Sequence, residues 1–217
     1  MPKPKLTYPR FTLGVTLKDS PYPIEREIVV SSTDSLNDLH FYIQSAMPWQ
    51  NYHLHEFRRE IGSNDIVTYG DAHFEEVPSE NDTKLHALDS VFTKKGDTIL
   101  YEYDFGDSWL HEIKLLNIIH DPQAYPVTPF LRSAKGACPP EDCGGPPGFA
   151  HFLEVLNNTK HPEHKETKQW GESQGFRGTQ EDEDHLELHL SLTYHKKMEV
   201  YYPDTGLFDE FYDDYME

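Results

Sequence analysis

The sequence predicts an α+β fold: a mixed sheet of hairpins with a few helices packed on it, plus a small C-terminal β-extension. Three observations carry this reading. Residues 10–18 (RFTLGVTLK) and 24–30 (IEREIVV) read as two strands joined by a Pro-containing turn. A stripe of apolar residues at helical spacing follows over about 34–47. Residues 98–119 then form the clearest hairpin, TILYEYDF and SWLHEIKLLNII flanking Gly106-Asp107. The chain has 217 residues, 36% hydrophobic and 13% aromatic, enough to bury one core rather than remain disordered throughout.

Each element has a local reason. Phe11, Leu13, Val15 and Leu17 alternate at period two, as in a half-buried strand. Asp19-Ser20-Pro21-Tyr22-Pro23 supplies the turn. Ser31 to Asp34 offer N-caps, and Leu36, Leu39, His40, Ile43 and Met47 form the buried side of the helix. Residues 52–60 (YHLHEFRRE) read as a third strand with His53, His55 and Phe57 on one face. Residues 62–90 are polar and read as a long loop with minor structure. Residues 120–148 read as one long Pro- and Gly-rich connection. A helix starts near Pro147, buried through Phe149, Phe152, Leu153 and Leu156, and a shorter one runs from His161-Pro162 to about Trp170. The main domain is expected over 1–172, an acidic Gly-containing linker over 173–184, and a β-rich extension over 185–217, where Leu186, Leu188, Leu190 and Leu192 alternate strictly.

Charge narrows the partners. Nineteen Lys and Arg face 38 Asp and Glu, a net charge of −19. From Glu181 to the end there are 12 acids and 2 bases, about half of the excess. Phosphate neutralisation needs a basic stripe, and no Lys/Arg cluster here is longer than two, so direct nonspecific nucleic-acid binding is disfavoured. The balance suits a solvated surface, a basic protein partner or a cation. No run of 18 apolar residues is present and MPKPKLTYPRFTL has no apolar h-region, so neither a membrane span nor a signal peptide is expected. Two cysteines exclude a disulfide-built scaffold.

Two groups of residues carry candidate chemistry. With Gly106-Asp107 at the turn, Asp104 faces Trp109 and Glu102 faces His111. Glu102, Asp104, Asp107 and His111 are then catalytic candidates: clustered carboxylates and an imidazole can hold a metal or perform acid–base work. The competing reading is a cross-strand Glu–His pair with solvated acids, and a one-residue bulge would dissolve the cluster. Cys138 and Cys143, in CPPEDC, have the spacing of a zinc half-site. His161 and His164, at i and i+3 in HPEH, or His111, could complete a set for zinc or another divalent metal. A disulfide or two inert thiols compete with that reading. His53 and His55 form a weaker H-x-H pair. G-x-S-x-G, H-E-x-x-H and P-loop motifs are absent, so a serine hydrolase, zincin or nucleotide triphosphatase is unsupported.

The segments LKDSPYPIEREIVV, LNDLHFYIQSAMPW, HLHEFR, YEYDFGDSWLHEI, ACPPEDCGGPPGFAHFLEVL and HPEHKE, in this order over about residues 8–172, resemble the plasmid pRiA4b Orf-three-like family. The resemblance implies a compact α+β domain and an accessory role of the insertion-element passenger type. It implies no established activity, and no recombinase motif accompanies it. Past Trp170 it fades. The combined expectation is a cytoplasmic binding module acting through protein contacts, with Trp109, Tyr101, Tyr103 and the acidic tail as its surface. The alternative is a metal-dependent, hydrolase-like enzyme or a structural zinc protein built on the Glu102/Asp104/His111 and Cys138/Cys143 regions.

Overall fold

The computed structural model describes residues 9–62, 65–71, 77–120, 129–180, 186–187 and 190. Seven strands form one antiparallel sheet: β1 (Arg10–Leu17), β2 (Glu25–Ser31), β3 (His55–Ile61), β4 (Asp65–Tyr69), β5 (Thr98–Tyr103), β6 (Trp109–Ile119) and β7 (Phe130–Lys135). Their order across the sheet is β4-β3-β5-β6-β1-β2-β7. Helix α1 (Leu36–Ala46) follows β2, the single turn α2 (Leu88–Val91) precedes β5, and α3 (Gly145–Asn157) and α4 (His164–Ser173) follow β7. The α+β class holds.

Alternation places the core. Leu13 pairs with Ile28 and Leu115, and Val15 pairs with Arg26 and Ile113. Farther along the sheet Phe57 pairs with Tyr101, and Tyr101 with His111. Opposed residues share a face, so this face carries Leu13, Val15, Ile28, Phe57, Tyr101, Tyr103, Trp109 and Ile113, all buried. Helix α1 lies over it: His40 and Gln44 reach the Tyr101 hydroxyl, and the Arg26 Nε–H donates to Ala46 O at 2.7 Å. The helix starts where a reciprocal cap begins. Ser35 Oγ accepts the Asp38 N–H at 3.1 Å, and the Asp38 carboxylate accepts the Ser35 N–H at 2.8 Å.

Four expectations change. The described residues of the span 62–90 are not simply loop: they hold β4, two 3₁₀ turns (Ser79–Asn81 and Thr83–Leu85) and the start of α2. The Pro- and Gly-rich connection contains edge strand β7, which is largely unburied and so lacks the apolar alternation that announces a strand. The third strand begins at His55, which leaves His53 on the preceding loop. The strand expected at 186–194 is contradicted where it is described: Leu186, Glu187 and Leu190 have helical backbone, with both leucines fully buried one helical turn apart. Leucines at every second position also satisfy i,i+4 spacing, so period alone did not separate the two states. The Glu187 carboxylate accepts the Leu131 N–H on β7, and burial raises its pKa. The rest of that expected strand, its hairpin partner and the acidic tail lie outside the described residues. No helix among the described residues is long and apolar enough to cross a membrane.

Ser35→Ala removes half of the reciprocal cap of α1. It is expected to cost about 1 kcal/mol, read as a lower urea midpoint at unchanged slope. Ser35→Asp, which restores an acceptor, is expected to recover most of the loss.

Candidate functional site

Three loops meet at one end of the sheet. The first, residues 48–54, joins α1 to β3. The second, 104–108, joins β5 to β6. The third, 138–144, runs from β7 into α3. The second is a five-residue corner with Asp104 and Ser108 both in the left-handed region, at φ 57° and 54°. Its Ser108 N–H donates to Asp104 O at 2.6 Å, and the Asp104 N–H donates to Leu54 O at 2.9 Å. The third loop locks onto the corner. Gly144 N–H donates to the Asp107 carboxylate at 3.1 Å. A Cβ on Gly145, at φ +67°, would lie 2.4 Å from Asp107 O, so only glycine allows the approach.

Tyr103 joins the first loop to the third. Its hydroxyl donates to Glu141 Oε1 at 2.5 Å and accepts the Tyr52 N–H at 3.1 Å. Glu141 Oε2 accepts the Gln50 N–H at 3.0 Å, and the Trp49 indole N–H donates to Pro139 O at 3.0 Å. Burial raises the Tyr103 pKa, and the Glu141 carboxylate raises it further. A second ring of bonds holds the first loop from below. Asn51 Oδ1 can only accept, so His40 Nε2 donates to it at 2.8 Å. His40 Nδ1 then accepts the Tyr101 O–H at 2.8 Å, and that hydroxyl accepts from Gln44 Nε2 at 3.1 Å. His55 stacks on His40 with ring centroids 3.5 Å apart. Burial, and then the neighbouring His55, lower the His40 pKa well below its usual value.

The junction brings together His53, Asp104 and Asp142, each from a different loop, with one ligand atom from each lying within 4.8 Å of the others. His53 Nδ1 is 3.7 Å from Asp104 Oδ2, and Nε2 is 3.2 Å from Asp142 Oδ1. Among the described residues this is the group of His, Cys, Asp or Glu with such convergence. Beside it Tyr52, Leu54 and Phe105 are exposed, at 73%, 42% and 50%.

The anticipated clusters do not gather. In the observed register Tyr101 faces His111 and Glu102 faces Leu110, one residue away from the expected pairing. The longer corner is the cause: 104–108 counts five loop residues where the expected turn counted two or four. Glu102 therefore points to the opposite face, where it accepts from Ser108 Oγ at 2.6 Å and from Arg58 at 2.5 Å. His111 is fully buried beside Trp49 and Tyr101, and neither ring nitrogen makes a hydrogen bond of good geometry. Burial lowers its pKa to about 4, with backbone groups of Tyr101 and Trp109 opposing in part and the Arg26 charge adding. Tyr101, Tyr103 and Trp109, expected at the surface, are core.

The cysteines and HPEH histidines also stand apart. Cys138 Sγ lies 3.0 Å from the Arg26 guanidinium and 3.1 Å from Met47 Sδ, so a fixed positive charge occupies the side a cation would need. Burial, then the Asp107 and Asp142 carboxylates, push the Cys143 thiol up to about 12. His161 precedes α4 and accepts the Glu163 N–H, whereas His164 opens the helix and donates to Val155 O at 3.1 Å. They are not two ligands on one helical face. Asp104 is the anticipated site residue that lies in the observed cluster; His53 belonged to the weaker H-x-H pair, and Asp142 gave no spacing signal.

A model of plasmid pRiA4b ORF-3-like proteins matches residues 9–187. The chain belongs to this family. It is 37% identical over 159 residues to the uncharacterized protein y4hQ of Sinorhizobium fredii (strain NBRC 101917 / NGR234), covering 73% of this chain and 78% of that one. The fold is also that of MM3350, a protein of unknown function from Methanosarcina mazei Go1. The two superpose with a TM-score of 0.72 at 30% identity, covering 82% of this chain and 98% of the other. The match reaches past Trp170 to the helical residues 186–187, so family likeness extends farther than the opening strings indicated.

Two predictions follow from these contacts. Gly145→Ala is expected to destabilise by roughly 1–3 kcal/mol, because it combines a left-handed backbone with a clash on Asp107 O. Urea unfolding measures the loss, and Gly175→Ala, left-handed in open space, is expected to cost less. His111 has a depressed folded pKa, so its contribution is complete above the unfolded value near 6.5 and is lost as pH falls toward 4. That is a loss on the order of 3 kcal/mol. His111→Leu is expected to unfold with a shallower pH dependence over this window. Identical slopes would refute the assignment.

Proposed function

We propose that the protein is a cytoplasmic binding module of mobile-element origin that works through protein contacts, and that its working surface is the three-loop junction. The observation that carries this reading is the exposure of Tyr52, Leu54 and Phe105 together on a rigid support. Large side chains left in water beside interlocked loops are what a docking surface needs, since little ordering entropy remains to be lost on binding. The plasmid-derived family name supports the mobile-element setting. Two cysteines outside any disulfide support a reducing compartment. The net charge of −19 favours a basic partner and opposes nonspecific nucleic-acid contact. A hydrolase using Glu102, Asp104, Asp107 and His111 draws no support from the register, which puts Glu102 and His111 on opposite faces.

The test is site-specific photocrosslinking in the native host. A photoreactive residue at position 105 or 52 is expected to give discrete protein adducts that weaken as salt rises. The same residue at position 85, where Leu85 is 69% exposed on another part of the surface, is expected to give none of them. Equal adducts from all three positions would refute this surface.

A further inference from the structure

A neutral imidazole has one N–H and one lone pair. His53 presents its two ring nitrogens to two different carboxylates, Nδ1 to Asp104 at 3.7 Å and Nε2 to Asp142 at 3.2 Å. Whichever nitrogen carries the proton, the other turns a lone pair toward a negative oxygen. The Nε2 atom is itself buried and makes no hydrogen bond. Asp104 is only 8% exposed, and its Oδ1 is occupied by the Gly106 N–H at 2.9 Å. Its other oxygen faces His53. A buried carboxylate needs a charged or donating partner on that side.

A single divalent ion answers all three deficits. We propose that His53, Asp104 and Asp142 bind one first-row divalent cation, Zn²⁺ in preference to Mn²⁺. Atoms that share an ion at about 2.0–2.2 Å lie roughly 3–4 Å apart, and the three candidate atoms already lie within 4.8 Å of one another. One imidazole with two carboxylates suits a borderline cation better than Mg²⁺ or Ca²⁺, which favour oxygen alone. Zn²⁺ exceeds Mn²⁺ in intrinsic affinity for such a set. Three protein ligands leave a coordination position. Asp142, with its side chain 72% exposed, gives the ion an entry path. An oxygen from a ligand docked at the exposed Tyr52 and Phe105 would have that coordination position to complete. The ion does not require the docking role, and each can fail without the other.

The experiment uses the full chain, stripped with chelator and titrated at pH 7 with ZnCl₂ by calorimetry and with Mn²⁺ by electron paramagnetic resonance. One ion per chain is expected. Asp142→Asn and His53→Gln are each expected to weaken binding by about tenfold or more. The ¹⁴N coupling in the Mn²⁺ spectrum is expected to vanish in His53→Gln. Both side chains reach solvent, so circular dichroism is expected to be unchanged in these variants. Absence of saturable binding in the wild type would overturn the proposal. Wild-type binding that falls less than about tenfold in both variants would also overturn it, by placing the ion elsewhere among the 13 histidines.

Discussion

Asp104 and Ser108 bend the chain through left-handed angles, and the 2.6 Å bond from Ser108 N–H to Asp104 O closes the corner between β5 and β6. The length of this corner sets the hairpin register, and the register decides which side chains the sheet buries. With five residues in the loop, Tyr101, Tyr103, Trp109 and His111 all turn inward under α1, and Glu102 turns outward to Arg58. One residue fewer would put Trp109 and His111 on the face of Glu102, away from Tyr101 and Tyr103. The strain of two non-glycine residues at positive φ, of order 1 kcal/mol each, is small beside the aromatic area it helps to bury.

The buried polar groups then transmit that register to the surface. Tyr101 and Tyr103 sit two residues apart on one strand and each ends in a hydroxyl that a loop uses. Tyr101 holds Asn51 through His40, and Tyr103 holds Tyr52 and Glu141 directly. Because each donor meets an acceptor, the two networks fix one arrangement of the 48–54 loop. His53 and the exposed Tyr52 and Leu54 are carried on it. The rigidity of the outer surface is thus a property of the core aromatic residues, which is why an isolated loop peptide would not reproduce it.

Much of the fold was readable in the sequence because alternation and capping are local. Phe11 to Leu17 showed period two, and the polar run Ser31 to Asp34 marked the start of α1 to within one residue of its actual cap, Ser35. What escaped detection was non-local or two-sided. Strand β7 is an edge with little burial, so its pattern is polar. Leu186 and Leu190 fit a strand and a helix equally by spacing, and their burial against the domain settled the state. The site was less readable still. Asp104 and His53 were visible as residues, but their meeting depends on the corner length and on Gly145 admitting Asp107. Asp142 lies four residues after Cys138, and the cysteines drew the attention although Arg26 already occupies the space beside Cys138.

The histidines show how one residue type takes different roles under different burial. His111 and His40 are core residues whose burial keeps them neutral, the first without hydrogen bonds and the second within a closed chain of them. Among the described residues no carboxylate bonds to either ring, and burial opposes their protonation. His53 stands at the rim between two carboxylates, Asp104 and Asp142. An acidic chain therefore separates its imidazoles by geometry: those under α1 are packed in the core, and the one at the loop junction faces two carboxylates. The strings YDFGDSWLH and CPPEDCGGPPG supply two of the three loops of that junction. They interlock through Asp107, Gly144 and Gly145. Each therefore constrains the backbone of the other: the Asp107 carboxylate holds the Gly144 N–H, and Gly145 leaves room for Asp107 O.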